Sequence, residues 1–237
     1  MQNIQKSASI IQLMQAQLKI EDLVKMGAHY GYTRTRRHPS TKSYVVTSQN
    51  GVDFINLEKT MVDFDKAVAF LKSVTDANKQ IIFVGTKPEI RQVVKEISLS
   101  INMPYIADRY IGGSMTNFSE IKKRIEKLHT LLKQKESGEL SVYTKKEQGL
   151  IQKDIERLDR NFGGLSNIAG MPGALVVVDA RKEFMIIDEA KRMGIPVIAL
   201  ANTDCDIRNV EYPIVCNDGA ASVVREILSA IKRSIAA

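Results

Sequence analysis

Gln80-Ile81-Ile82-Phe83-Val84-Gly85-Thr86-Lys87-Pro88 is the stretch that decides the fold class. An apolar run of β-branched and aromatic residues halts at a glycine, and Pro88 stands where a first helical turn can begin. Ile90, Val93, Val94 and Ile97 then recur at helical spacing. A strand that is apolar on both faces, followed at once by an amphipathic helix, belongs to a parallel sheet covered on both sides. The pattern repeats downstream. Pro104-Tyr-Ile-Ala107 reads as the next strand and Ala174-Leu-Val-Val-Val178 as another, ending at Asp179. A helix over about Glu183–Met193, strands at Pro196–Leu200 and Tyr212–Val215, and a last helix over about Ala220–Arg233 complete the series. Upstream, Tyr44–Thr47 and Val52–Asn56 flank Ser48-Gln-Asn-Gly51, a β-hairpin signal, and a helix over about Glu58–Asp76 leads into the first parallel strand. The expected class is α/β, a Rossmann-like (flavodoxin-like) parallel sheet with helices on both faces.

The middle of the chain keeps a different period. Phe118, Ile121, Ile125, Leu128 and Leu132 step by three or four residues, and after Ser137-Gly138 so do Ile151, Ile155, Leu158 and Phe162. Two helices joined by a short turn make an antiparallel, coiled-coil-like hairpin inserted into the sheet. Gly112-Gly113 and Gly163-Gly164 stand at its two ends and read as flexible joints. The expected organisation is an N-terminal extension over 1–18, an α/β domain over 19–108 and 164–237, and an inserted hairpin over 109–163. In the extension, Ile4, Ala8, Ile11 and Leu18 fall near one helical face, so an accessory helix or a disordered segment is expected there.

The 237 residues carry 34 Lys and Arg against 27 Asp and Glu, a net charge of +7, and the excess is not evenly spread. Residues 19–52 hold a surplus of four positive charges and 109–163 another four, while 53–108 and 164–237 each come to −1. No acid occurs between Asp22 and Asp53, yet Lys25, Arg34, Arg36, Arg37 and Lys42 all fall there. A solvated face usually mixes signs, so this stretch points to a polyanion. The hairpin adds Lys122, Lys123, Arg124, Lys127, Lys133, Lys135, Lys145, Lys146 and Lys153. With aromatics at 6% and no Trp, a nucleic acid would be held by shape and phosphate more than by base stacking. Arg34, Arg36, Arg37, His38 and Lys42 are the first expected contact, and Lys87 and Arg91 at a helix start are the second. Arg109 with Lys122, Lys123 and Arg124 forms the third.

Catalytic readings find little support. Gly85-Thr86-Lys87 lacks the spacing of a phosphate loop, and Gly112-Gly113-Ser114 is not a dinucleotide fingerprint. His29, His38 and His129 fall in different elements, and Cys205 and Cys216 have no ligand spacing and read as reduced thiols. Asp179 at a strand end could hold a ribose hydroxyl, and Asp204, Asp206 and Asp218 a divalent ion, but acidic loop caps are the commoner explanation. The competing expectation is a sugar-phosphate or nucleotide-binding α/β enzyme using Thr86, Lys87 and Ser114. A third makes the hairpin a protein-docking arm. No secretion pattern and no membrane-length apolar run are present, so a cytoplasmic protein is expected.

Leu23-Val-Lys-Met-Gly-Ala-His29-Tyr-Gly31 and the basic run to Pro39 resemble the opening of the bacterial small-subunit ribosomal protein two family. The likeness continues through Asn56-Leu-Glu-Lys-Thr60, Phe83-Val-Gly-Thr-Lys87, Arg109-Tyr-Ile-Gly-Gly113 with Thr116-Asn117, and Phe162-Gly-Gly164. It resumes at Pro172–Asp179, Gly194-Ile-Pro196 and Asn217-Asp218, and so spans roughly residues 19–233. The resemblance implies a non-catalytic protein that binds small-subunit ribosomal RNA between head and body. It also implies neighbouring small-subunit proteins as partners, the large messenger-RNA-binding ribosomal protein one among them, and a role in translation initiation. The family's divalent-metal pocket corresponds to positions held here by Tyr32, Asn202 and Gly219, which lack the family's imidazole and carboxylates, so no metal or other cofactor is expected. Arg37 stands where the family usually has an aromatic residue, and His38 where it has Asn, which makes the loop more cationic.

Overall fold

In a computed structural model of the chain, residues 18–235 are described. The expected accessory helix over 1–18 lies outside them except for Leu18, which is buried. After a short helix α1 (Ile20–Lys25) come three strands, β1 (Tyr30–Thr33), β2 (Val45–Gln49) and β3 (Val52–Ile55), forming an antiparallel sheet in the order β1-β3-β2. The β2–β3 hairpin turns at Asn50-Gly51, both at positive φ, which is the dipeptide that suits a tight two-residue turn. β1 was not expected: Tyr30-Gly-Tyr-Thr33 is short and its glycine obscures the alternation. Gly31 is required, because a Cβ there would meet the Thr203 side chain at 2.7 Å and the Asp53 carbonyl at 3.0 Å.

Helix α2 (Leu57–Asp76), capped by the Asn56 side chain on the Lys59 amide, leads to the main sheet. Its strands are β4 (Ile81–Val84), β5 (Tyr105–Ile106), β6 (Ala174–Val178), β7 (Val197–Ala201) and β8 (Tyr212–Val215), all parallel, in the order β5-β4-β6-β7-β8. Numbered from its own first strand, that is the 2-1-3-4-5 order of a flavodoxin-like sheet, as expected. The side-chain period of two sorts each strand between two cores. Ile81 and Phe83 of β4 and Ala174, Val176 and Val178 of β6 face α2, helix α3 (Arg91–Ser100) and the C-terminal helix α7 (Ala221–Ile235). Ile82 and Val84, with Leu175 and Val177, face helix α6 (Phe184–Arg192) and the inserted hairpin.

The hairpin consists of α4 (Phe118–Glu136) and α5 (Lys145–Phe162), turned through Gly138 at φ +78° and a 3₁₀ segment at Glu139–Val142. Thr144 and Glu147 close α5 with a reciprocal capping box. Ile121, Ile125, Leu128, Ile155, Leu158 and Phe162 are buried in one cluster with the strand residues Ile82, Val84 and Leu175. The basal half of the hairpin is therefore part of the sheet's core, and only its outer half stands clear.

Two glycines give a test of this packing. A Cβ on Gly164 would overlap the Tyr105 carbonyl of β5, whereas Gly149, inside α5, faces open space. Gly164→Ala should lower stability by about 3 kcal/mol through forced backbone displacement, and Gly149→Ala should raise it by up to about 1 kcal/mol through helix propensity. Urea midpoints moving in opposite directions are the expected result.

Candidate nucleic-acid interface

The chain leaves β4 toward β5 on one side and returns to β6 on the other, so the C-terminal ends of β4 and β6 form the crevice where such sheets commonly hold ligands. Here that crevice is filled from within. Lys87 Nζ lies 2.8 Å from Asp179 Oδ2 and 3.3 Å from Asp218 Oδ2. Burial alone would lower the lysine's pKa, but the Asp218 and Asp179 carboxylates outweigh it and hold the ammonium charged. Burial pushes the Asp218 carboxyl up to about 6 against the pull of Lys87, with Asp179 adding to the rise. Asp179 sits at φ +71°, a conformation that aspartate tolerates when its side chain closes an Asx turn; its Oδ1 accepts the amides of Arg181 and Lys182, each at 3.1 Å. The buried Glu183 accepts the Thr86 amide at 3.3 Å and the Thr86 hydroxyl on the same oxygen, and burial raises its pKa. Ser114 Oγ donates to the Ile111 carbonyl at 2.6 Å. Every group that the enzyme reading needs is engaged internally, and the carboxylates of Asp179, Glu183 and Asp218 oppose a phosphate.

Asp179, Cys205 and Asp218 bring potential ligand atoms within 4.8 Å of one another. They do not suit a divalent ion. Lys87 already supplies the cation to both carboxylates, and burial raises the Cys205 thiol's pKa, which keeps it protonated. At the positions of the family's metal pocket, the Asn202 side chain accepts the Thr203 amide at 2.7 Å, and Tyr32 lies under the Arg36 guanidinium, 4.5 Å from the ring centroid.

The basic N-terminal loop is drawn against the same edge of the sheet through Thr203. Its carbonyl accepts the His38 amide at 2.8 Å and the Thr41 hydroxyl at 2.7 Å, and its hydroxyl accepts the Tyr32 amide at 2.9 Å. The loop is thereby wound into 3₁₀ turns at Arg34–Arg36 and Pro39–Tyr44 rather than left extended. Its cations then fall into two groups. Arg37 pairs with the fully buried Asp53 at 3.4 Å and is only 20% exposed, and Arg36 pairs at 3.6 Å with Asp204, which Arg181 also holds at 2.6 Å. His38 caps the second turn with Nδ1 accepting the Ser40 amide, so its ring serves as an acceptor there rather than as a cation. Arg34 and Lys42 are exposed and have no ion pair among the described residues.

On the other side, Arg91 opens α3 and pairs with Asp108 at 3.3 Å. Lys123 pairs with Glu120 at 2.6 Å and Lys127 with Asp154 at 2.6 Å, while Arg109, Lys122 and Arg124 are exposed without an ion pair among the described residues. The joint at Gly112-Gly113 is not flexible as expected. The Glu189 carboxylate of α6 accepts the amides of Gly113 (2.6 Å), Met115 (3.2 Å) and Thr116 (3.4 Å), clamping the entry to the hairpin. Burial raises the Glu189 carboxyl, but the Gly113 amide and the Tyr110 hydroxyl outweigh it and keep it ionised. Sequence reading passed over Glu183, Glu189 and Thr203. Only the glutamates left a trace, as acids one helical turn and three turns beyond a strand end.

Comparison with known proteins adds the last observations. The family described as Ribosomal protein S2 matches residues 23–237. The "Small ribosomal subunit protein uS2" of Karelsulcia muelleri is 33% identical over 216 residues, covering 91% of this chain and 97% of that protein. Its namesake from Chloroherpeton thalassium is 36% identical over 220 residues, covering 93% and 88%, and that of Chloroflexus aggregans is 37% identical over 212 residues, covering 90% and 89%.

The buried cluster can be read by titration. Asp218 has a folded pKa of about 6, above its ordinary value of 3.8, so the folded state holds a proton that the unfolded state has released between those values. The stability this gives is complete below pH 3.8 and lost as pH rises through about 6. The stability of the wild type minus that of Asp218→Asn should therefore fall from pH 4 to about 6 and stay level above it. Urea unfolding at stepped pH measures this, and a level difference throughout would contradict it.

Proposed function

The chain belongs to the ribosomal protein S2 family, and from that membership and the placement of its unpaired cations we propose that it is a non-catalytic component of the small ribosomal subunit that binds small-subunit ribosomal RNA between head and body. The supporting observation is where charge is left over. Arg34 and Lys42 on one side, and Arg109, Lys122 and Arg124 on the other, have no acid partner among the described residues, while the crevice a substrate would need is closed by Lys87. Arginine forks and lysine point charges at two separated places fit a folded, phosphate-rich surface. Arg36 and Arg37 act one step back, holding the loop in shape against Asp204 and Asp53. Lys87 and Arg91 likewise serve internal pairs first.

The partners in this reading are ribosomal RNA and neighbouring small-subunit proteins, with ribosomal protein one docking nearby and supporting messenger-RNA recruitment in initiation. The outer end of the hairpin suits a protein neighbour: Val142 is 88% exposed, with Tyr143 and Leu150 exposed beside the turn. No helix among the described residues is long and apolar enough to cross a membrane, and the reading places the protein on ribosomes in the cytoplasm.

Sedimentation tests the class. The protein in cell extract should migrate with the small subunit in a sucrose gradient and leave it only at high salt. Arg34→Glu with Lys42→Glu should cut incorporation at least tenfold with an unchanged circular dichroism melt. Arg37→Glu should instead lower the melting temperature, since it sets an acid against the buried Asp53. Migration independent of the small subunit would defeat the proposal.

A further inference from the structure

At the root of the hairpin, on the open edge of the main sheet beside β5, lies a small cleft of about 160 Å³. Its walls come from three parts of the chain. The outgoing segment contributes Asp108 and Arg109, the returning end of α5 contributes Asp159, Arg160 and Asn161, and α3 contributes Lys95. The cleft exists because Gly164 lacks a Cβ, which lets the returning segment lie against the Tyr105 carbonyl. Lys95, Arg109 and Arg160 are exposed, and none has an ion pair among the described residues. The two acids do not balance them: Asp108 is taken by Arg91, and the Asp159 carboxylate is laid over the Cα of Gly163. Elsewhere on the hairpin, by contrast, Lys123, Lys127 and Arg157 are each matched by a neighbouring acid.

Three unmatched cations from three elements around one polar cleft are what a phosphodiester recognises, and two of them are guanidinium forks. We propose that this cleft seats a backbone phosphate of the RNA, with Arg109 and Arg160 gripping it from the two joints of the hairpin and Lys95 closing the third side. The inference rests on the RNA-binding reading above and gives it a further site. Its consequence is mechanical. The Glu189 clamp holds only the outgoing joint, so a phosphate bridging Arg109 and Arg160 ties down the returning joint as well, and the hairpin's direction is set by the bound RNA.

The test uses the full chain and small subunits stripped of it, with binding followed over a salt series. Arg109→Ala with Arg160→Ala should weaken binding and reduce the slope of log K against log salt by about 2, one for each lost phosphate contact. Arg109→Lys with Arg160→Lys should keep the slope, since the charge remains. Amide hydrogen exchange in residues 161–165 should slow when the unaltered chain binds and should not slow in the alanine variant. An alanine variant with the unaltered slope overturns the cleft, whatever its affinity. If the unaltered chain itself fails to bind, or binds without salt dependence, the RNA-binding reading falls.

Discussion

The Lys87 ammonium, held between Asp179 and Asp218, is the interaction on which the rest of the structure depends. A parallel sheet ends all its strands on one side, and at the point where strand order reverses it leaves a crevice lined with loop backbone. Many proteins of this architecture leave that crevice to a ligand. In this chain a side chain from the end of β4 crosses to the ends of β6 and β8 and neutralises two acids buried there. Removing either kind of partner would leave an uncompensated buried charge, so the three residues stand or fall together. The Thr86–Glu183 bonds seal the same opening from the other side.

With the crevice closed, function moves to the periphery, and the same chemistry orders it there. Thr203 and Asp204, just past the end of β7, hold the N-terminal loop by backbone hydrogen bonds and by Arg36. Glu189 holds the entry to the hairpin through three backbone amides. In both places a buried or half-buried internal acceptor fixes backbone, and the cations left unmatched are presented on a rigid support. Preorganised charge of this kind binds a polyanion without first paying the entropy of ordering a loop.

Much of the fold was legible along the chain. The continuous apolar strands announced a sheet buried on both faces, and the three-and-four spacing of Phe118 to Phe162 announced the helical hairpin. What escaped was of two kinds. β1 is too short, and too interrupted by Gly31, to show alternation. The joint at Gly112-Gly113 reads as mobile because glycine is permissive, yet its mobility is cancelled by Glu189, which is remote in sequence. Gly164 misleads in the same way: its missing Cβ marks a close approach to β5, not a hinge.

Charge shows the division most plainly. From the sequence alone came the class of fold, the existence of the hairpin and the concentration of positive charge in two blocks, because composition and periodicity are properties of neighbours along the chain. Which cations remain free came only with the tertiary structure. Arg36, Arg37 and Lys87 meet their acids across strand ends, at Asp204, Asp53, Asp179 and Asp218, and no local pattern encodes those meetings. Arg109 and Arg160 come together only because the hairpin returns to its own root. An ion pair forms between groups a few ångströms apart in space, so the sequence can count charges, but only the fold can say which of them are already spent.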